Sequence, residues 1–175
     1  MKKTGKKYIG VFDSGFGGLN ILRGIVKELP HYDYMYLGDT ARVPYGSRST
    51  DVIYQFTCEA VDFFFSHGCE LVIFACNTAS SDALRKIQKE YLPKKYPGKR
   101  VLGVLIPAAE AAVEKTKNWN VGVIATEATI KSGAFPREVN KLDPSIRVFQ
   151  NASPLLAPVI EHGEQDSEII DILLK

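Results

Sequence analysis

The sequence predicts an α/β fold in which a parallel sheet is sandwiched between helices, a three-layer arrangement. Three observations predict it. Short apolar runs alternate with stretches whose apolar residues recur at helical spacing, as in successive βα units. Residues 71–75 are apolar without polar alternation, which reads as a strand buried on both faces. Polar clusters follow each of the first three apolar runs, at the ends of strands that all point the same way.

The elements follow in order. Residues 8–12 read as the first strand, and Leu19, Leu22, Ile25, Val26 and Leu29 then fall at helical spacing until Pro30 closes the helix. A second strand at 34–37 leads into a loop with Pro44 and Gly46. Ser49 or Thr50 can cap the next helix, whose apolar face is Ile53, Phe56, Ala60 and Phe64, and Gly68 stops it. After the strand at 71–75, Asn77 or Thr78 opens a helix carrying Ala79, Ala83, Leu84 and Ile87, which runs out near Tyr91. Residues 92–100, with Pro93, Pro97 and Gly98, form a charged connector, and a boundary is placed at residue 97. The expected organisation is a first α/β domain over 1–97 and a partial second domain of similar architecture over 98–175.

In that second part, strands are expected at 101–105, 121–125 and 146–149. Pro107 lies in the first turn of one helix, a short helix at 129–132 ends at Gly133, and Ser153 caps another with Pro154 at its first position. A final helix containing Ile169, Ile170, Ile172, Leu173 and Leu174 reaches Lys175 with no stop signal, as if the chain were cut inside a domain.

Composition narrows the functional classes. With Lys+Arg 22 against Asp+Glu 20, the net charge of +2 gives no nucleic-acid footprint. The basic start, Lys2, Lys3, Lys6 and Lys7, reads as a solvated tail. No apolar run approaches the roughly 18 residues of a membrane span, and the run at 8–12 is too short for a signal peptide, so a cytoplasmic protein is expected. Cys58, Cys69 and Cys76 show neither disulfide nor zinc spacing, and His31, His67 and His162 are scattered, so no metal is expected.

Cys76 stands at the carboxyl end of the most apolar strand, where the following helix start offers N–H groups and the positive end of its dipole. Such a thiol is biased toward thiolate, below the usual value of roughly 8.5. Cys58 and Cys69 read as buried and inert. Three clusters gather along one sheet edge: Asp13-Ser14-Gly15-Phe16-Gly17-Gly18, then Gly38-Asp39 with Arg42 and Pro44-Tyr45-Gly46, then Cys76-Asn77-Thr78-Ala79-Ser80. The first fails as a dinucleotide fingerprint because its third glycine position holds Asn20, and no P-loop lysine follows.

Taken in order, Asp13-Ser14-Gly15 with Gly17-Gly18-Leu19, Tyr36-Leu37-Gly38-Asp39, Pro44-Tyr45-Gly46, Cys76-Asn77-Thr78-Ala79 and residues 121–133 resemble the motif set of glutamate racemases, within the aspartate/glutamate racemase group. Pro154-Leu155 leading to Glu161 favours glutamate over aspartate. The resemblance implies two α/β domains of that type enclosing the amino acid, with a cysteine on each side of its α-carbon and no cofactor. It implies that Cys76 is one acid/base thiol, that Asp13 manages its proton, and that Glu161 supports the chemistry from the second domain. Ser14, Pro44, Tyr45, Gly46, Asn77, Thr78 and Thr129 match substrate-binding positions, whereas Asp39 reads as structural. The physiological role implied is supply of D-glutamate for peptidoglycan, with a homodimer as the assembly and no nucleic-acid or membrane partner. The family's second motif, Cys-Thr-His, is absent up to Lys175, so the chain is expected to be an amino-terminal portion that is inactive alone. Racemases or isomerases of aspartate, hydantoins or maleate, and a non-catalytic binding module, remain open on the sequence.

Overall fold

The computed structural model describes residues 8–174; Lys2, Lys3, Lys6, Lys7 and Lys175 lie outside them. Four parallel strands, β1 (Tyr8–Asp13), β2 (Asp33–Gly38), β3 (Cys69–Phe74) and β4 (Arg100–Gly103), form one sheet in the order β2-β1-β3-β4. A parallel neighbour must be reached by a crossover, and helices supply it. α1 (Gly18–Glu28) joins β1 to β2, and α2 (Thr50–Ser66) joins β2 to β3.

The period of two along the strands separates two cores. Phe12, Val72 and Phe74 face α2, whose Ile53, Ala60, Val61 and Phe64 are buried against them, and Met35 and Leu37 pack alongside. Ile9, Val11 and Ala75 face the other way, with Leu22 of α1, Tyr34, Tyr36, Leu71 and Ile73. That second side is the thinner one. Leu71 and Ile73 are only half-buried, so β3 is enclosed at Val72 and Phe74 on one face and only partly on the other, short of the two-faced burial its composition predicts. Gly10 has no side chain because the Phe64 ring occupies that space: a Cβ there would lie 2.6 Å from Cδ1.

α2 begins as expected, with the Ser49 hydroxyl accepting from the Val52 N–H, and it stops where Gly68 takes φ +86°. The helical region after β3 is longer and more broken than expected. It comprises α3 (Asn77–Asp82), α4 (Leu84–Lys86), a wide π turn at Ile87–Tyr91 and α5 (Leu92–Lys95). Pro93 is tolerated because it sits in the first turn of α5, where its missing N–H needs no partner. Asp62 of α2 ties this region down by accepting from Tyr91 and Tyr96 hydroxyls and from Lys95 Nζ at 2.6–2.9 Å. Burial alone would raise the Asp62 pKa, but those three donors outweigh it and hold the carboxyl below its usual range.

β4 corrects the expected division at residue 97. It pairs with β3, Val101 opposite Val72, so the connector returns the chain to the edge of the first sheet. The second sheet starts only with β5 (Asn120–Ala125), which pairs in parallel with β6 (Arg147–Ala152). Between Gly103 and Asn120 runs α6 (Leu105–Lys115), with Pro107 in its first turn as expected.

Two further helices follow β5: α7 (Glu127–Ser132) and α8 (Ala134–Leu142), separated by Gly133 at φ +58°. α8 was not expected from the sequence, although Phe135, Val139 and Leu142 share one face. Ala109 of α6, Val139 of α8 and Ile146 form a small core between α6, α8 and the second sheet. Ser153 does not cap the next helix: its backbone N–H continues the ladder to Ala125, and α9 (Leu156–Glu161) starts later with Leu155 at its N-cap. α10 (Glu168–Leu173) leaves Ile169, Ile172 and Leu174 exposed. Among the described residues no helix is long and apolar enough to cross a membrane.

Phe64 carries the main core, being fully buried between α2 and the sheet. Phe64→Ala is expected to destabilise the chain by about 3–5 kcal/mol, read from the midpoint of urea unfolding followed by circular dichroism.

Candidate active site

The carboxyl ends of the strands converge because the strands are parallel and in register. Phe12 pairs with both Leu37 and Phe74, so Asp13 and Cys76 leave the sheet side by side. The Ala75 and Cys76 N–H groups both donate to Phe12 O, at 2.8 and 3.3 Å, and the Asp39 N–H donates to Asp13 O at 2.9 Å.

Asp13 is buried and organises the first loop. Its Oδ2 accepts from the N–H groups of Gly15 at 3.2 Å and Gly18 at 3.0 Å. Gly18 is required by close approach, since a Cβ there would lie 2.5 Å from that of Asp13. Ser14 then points at the neighbouring strand end, its Oγ 3.3 Å from Cys76 Sγ.

Cys76 is itself the N-cap of α3: its extended backbone turns the chain into the helix, and Sγ accepts from the Ala79 N–H at 3.4 Å. The expected bias toward thiolate is reversed. Burial pushes the thiol up and the adjacent Asp13 charge pushes it further, while Ser14 and the Ala79 N–H act in the opposite direction and lose. The helix start is weak by comparison because α3 runs for only 6 residues before breaking at Ala83. Cys76 is 4% exposed, yet its side borders a cavity.

That cavity, about 730 Å³, lies between the two sheets. Asp13, Ser14, Cys76, Asn77 and Thr78 line it from one side, and Thr126, Thr129, Ser153 and Glu161 from the other. Glu161 reaches across so far that a Cβ on Gly15 would meet its Oε1. Partial burial raises its pKa, and the Asp13 charge adds to the rise. Tyr36 is pushed up to about 12 by burial and by Asp13, Cys76 and Glu161, and its hydroxyl donates to Gly15 O at 3.1 Å. Among the described lining residues there is no Lys or Arg, and the polar donors they offer are neutral.

The structure therefore brings seven of the expected site residues to one cavity: Asp13, Ser14, Cys76, Asn77, Thr78, Thr129 and Glu161. Pro44, Tyr45 and Gly46 do not line it. Tyr45 is 1% exposed, with its ring between Phe12 and Phe56 and its hydroxyl donating to Asp39 Oδ2 at 2.5 Å. Asp39 also accepts from Arg42 Nε at 2.7 Å, which fits the structural role expected of it. Gly46 abuts Thr126 instead, where a Cβ would lie 2.4 Å from the threonine Cβ. Thr126 itself was missed from the sequence, although a threonine ahead of Glu127-Ala128-Thr129 has the form of a helix N-cap. Cys58 and Cys69 are buried in the main core, away from the cavity.

No family model matches the chain. Individual proteins do. It is 43% identical over 168 residues to the glutamate racemase of Persephonella marina, covering 95% of this chain and 62% of that protein. To the glutamate racemase of Aquifex aeolicus it is 42% identical over 161 residues, covering 92% of this chain and 60% of that one. Over almost the whole of its own length the chain is similar to glutamate racemases. Its fold agrees: glutamate racemase RacE1 from Bacillus anthracis superposes with a TM-score of 0.87 at 35% identity, over 95% of this chain and 60% of that structure. The glutamate racemase of Francisella tularensis, solved in complex with D-glutamate, gives 0.83 at 36% identity, over 96% and 61%. The chain thus spans about three-fifths of the length of the glutamate racemases it matches.

After burial itself, the charge of Asp13 is what most directly opposes ionisation of the cavity thiol. Asp13→Asn keeps an acceptor for the Gly15 and Gly18 N–H groups and removes the charge. The pH profile of iodoacetamide alkylation at Cys76, followed by mass spectrometry, is expected to move to lower pH in that variant. A profile that stays in place or moves upward contradicts the electrostatic account.

Proposed function

We propose that this chain supplies one side of a cofactor-independent glutamate racemase site. Cys76 Sγ and the α-proton of glutamate are the reacting pair. The observation that carries the reading is a cysteine flanked by Asp13 and Ser14, on the wall of a cavity with acidic and neutral hydroxyl or amide groups. Such a cavity suits an amino acid: Asp13 and Glu161 favour its ammonium, while Ser14, Asn77, Thr78 and Thr129 offer donors to its carboxylates.

The raised thiol fits the reaction in both directions. Without a guest, Cys76 keeps its proton, which is the form needed to protonate a carbanion. A bound ammonium close to the sulfur favours the thiolate, so the substrate itself prepares the base. Thiolate then takes the α-proton, forming S–H and leaving the electron pair on the α-carbon, and a thiol on the opposite face gives its proton to that carbon. The α-carbanion is stabilised by donors fixed in advance rather than by an electron sink. On this reading Asp13 manages the Cys76 proton, and Glu161, itself easier to protonate than an ordinary carboxylate, borders the same cavity from the other side. The opposite thiol belongs, on the family resemblance, to a Cys-Thr-His motif that these 175 residues do not contain. Supply of D-glutamate for peptidoglycan in the cytoplasm is the physiological role that goes with this reading.

Because Cys76 is the one cysteine of the three that borders the cavity, the 175-residue chain is expected to perform one-sided chemistry. In deuterated solvent, proton NMR is expected to show exchange of the glutamate α-proton that Cys76→Ser abolishes, while a coupled assay detects no D-glutamate formed from L-glutamate. Rapid formation of D-glutamate by this chain contradicts the division of labour, and exchange that survives in Cys76→Ser removes the sulfur from the mechanism.

A further inference from the structure

Four hydroxyl side chains meet where α3 touches α7, and one of them stands between the others. Thr126 Oγ1 is 3.0 Å from Thr78 Oγ1 and 3.0 Å from Thr129 Oγ1, and it accepts from the Thr129 N–H at 3.4 Å. Ser81 donates to Thr78 O at 3.1 Å and approaches Thr129 Oγ1 at 3.4 Å, so its hydrogen is committed inside the cluster. Thr78, Thr126 and Thr129 all border the cavity.

A hydroxyl has one hydrogen and two lone pairs. With one lone pair of Thr126 taken by the Thr129 N–H, the residue accepts from one threonine hydroxyl and donates to the other. Two O–H···O contacts among three hydroxyls consume two hydrogens. One hydrogen is left, and it sits on Thr78 or on Thr129, at the cavity wall. Which of the two carries it depends on the direction in which the Thr126 hydroxyl points, and reversing that rotor moves the free donor from the α3 side to the α7 side.

We propose that Thr126 is a positioning residue for substrate carboxylate, presenting one threonine O–H from either side of the cavity to an acceptor oxygen of the guest. The inference rests on the racemase reading and extends it to a residue that makes the donors competent. Thr126 is also fixed mechanically: Gly46 packs against its Cβ, and its backbone is the N-cap of α7, so its Oγ1 cannot swing away from both partners without disturbing the turn at Tyr45–Ser47 (3-10) or the helix start.

Calorimetric titration of the 175-residue chain with L-glutamate and with D-glutamate tests the idea, using three variants. Thr126→Ser keeps both the shared hydroxyl and the helix cap, and is expected to bind within about twofold of the unsubstituted chain. Thr126→Val loses both and is expected to bind roughly tenfold more weakly, the scale of one hydrogen bond. Thr126→Asn retains a strong cap for α7 but not the shared hydroxyl, and is expected to bind as weakly as Val. Circular dichroism melting establishes that each variant is folded. If Asn restores full binding, Thr126 is a helix cap and no more; if Ser fails as badly as Val, or Val binds normally, the shared hydroxyl is not the determinant. Failure of the unsubstituted chain to bind either enantiomer overturns the racemase reading together with this one, whereas normal binding by Val overturns this one alone.

Discussion

The parallel pairing of β1 with β3 is the constraint on which the rest depends, because it fixes the distance between a carboxylate and a sulfur that are far apart in sequence. With Phe12 opposite Phe74, the two strands end together, and the residues just beyond them, Asp13 and Cys76, have no choice but to be neighbours. Everything chemical about the site follows from that adjacency. The Asp13 charge raises the thiol, Ser14 contacts the sulfur, and Gly18 must be glycine to let Asp13 fold back onto its own loop. A slip of one residue in this register would turn Phe12 and Phe74 out of the main core, so apolar burial enforces the geometry of the polar edge.

The cavity thiol shows two electrostatic effects competing at one atom. Helix starts favour anions, and Cys76 does cap α3. Removal from water is the larger effect here, and it favours the neutral form. The outcome is a thiol that holds its proton, and in the proposed reaction a cationic group on the guest would convert it. On that proposal ionisation is contingent on occupancy, which avoids a standing thiolate exposed to oxidation.

Much of this was legible in the sequence. The apolar runs located β1, β2 and β3 to within a residue or two, and the capping signals at Ser49 and Gly133 marked real helix ends. Seven of the ten expected site residues reach the cavity; Asp13, Ser14, Cys76, Asn77 and Thr78 do so because they follow strands that point one way, whereas Thr129 and Glu161 were expected from the resemblance. The misses are of a different kind. α8 lies in a polar stretch in which Phe135 and Val139 gain meaning only against Ala109 and Ile146. The connector at 92–100 looks like a boundary by composition, yet its continuation, β4, belongs to the first sheet because Val101 finds its burial beside Val72. Tyr45 sits in a cluster of site-like residues but turns its ring into the core, where its hydroxyl answers Asp39.

The sequence by itself determined the alternation of strands and helices, the polar edge with Cys76 at its centre, and the resemblance to glutamate racemases, since these rest on local periodicity and on the order of short motifs. Tertiary structure alone decided the ionisation of Cys76, the sheet to which β4 belongs and the meeting of Thr78 with Thr126. Those three depend on what surrounds an atom rather than on what precedes it in the chain: desolvation, strand pairing and hydroxyl contacts across 48 positions are sums over neighbours that only folding brings together.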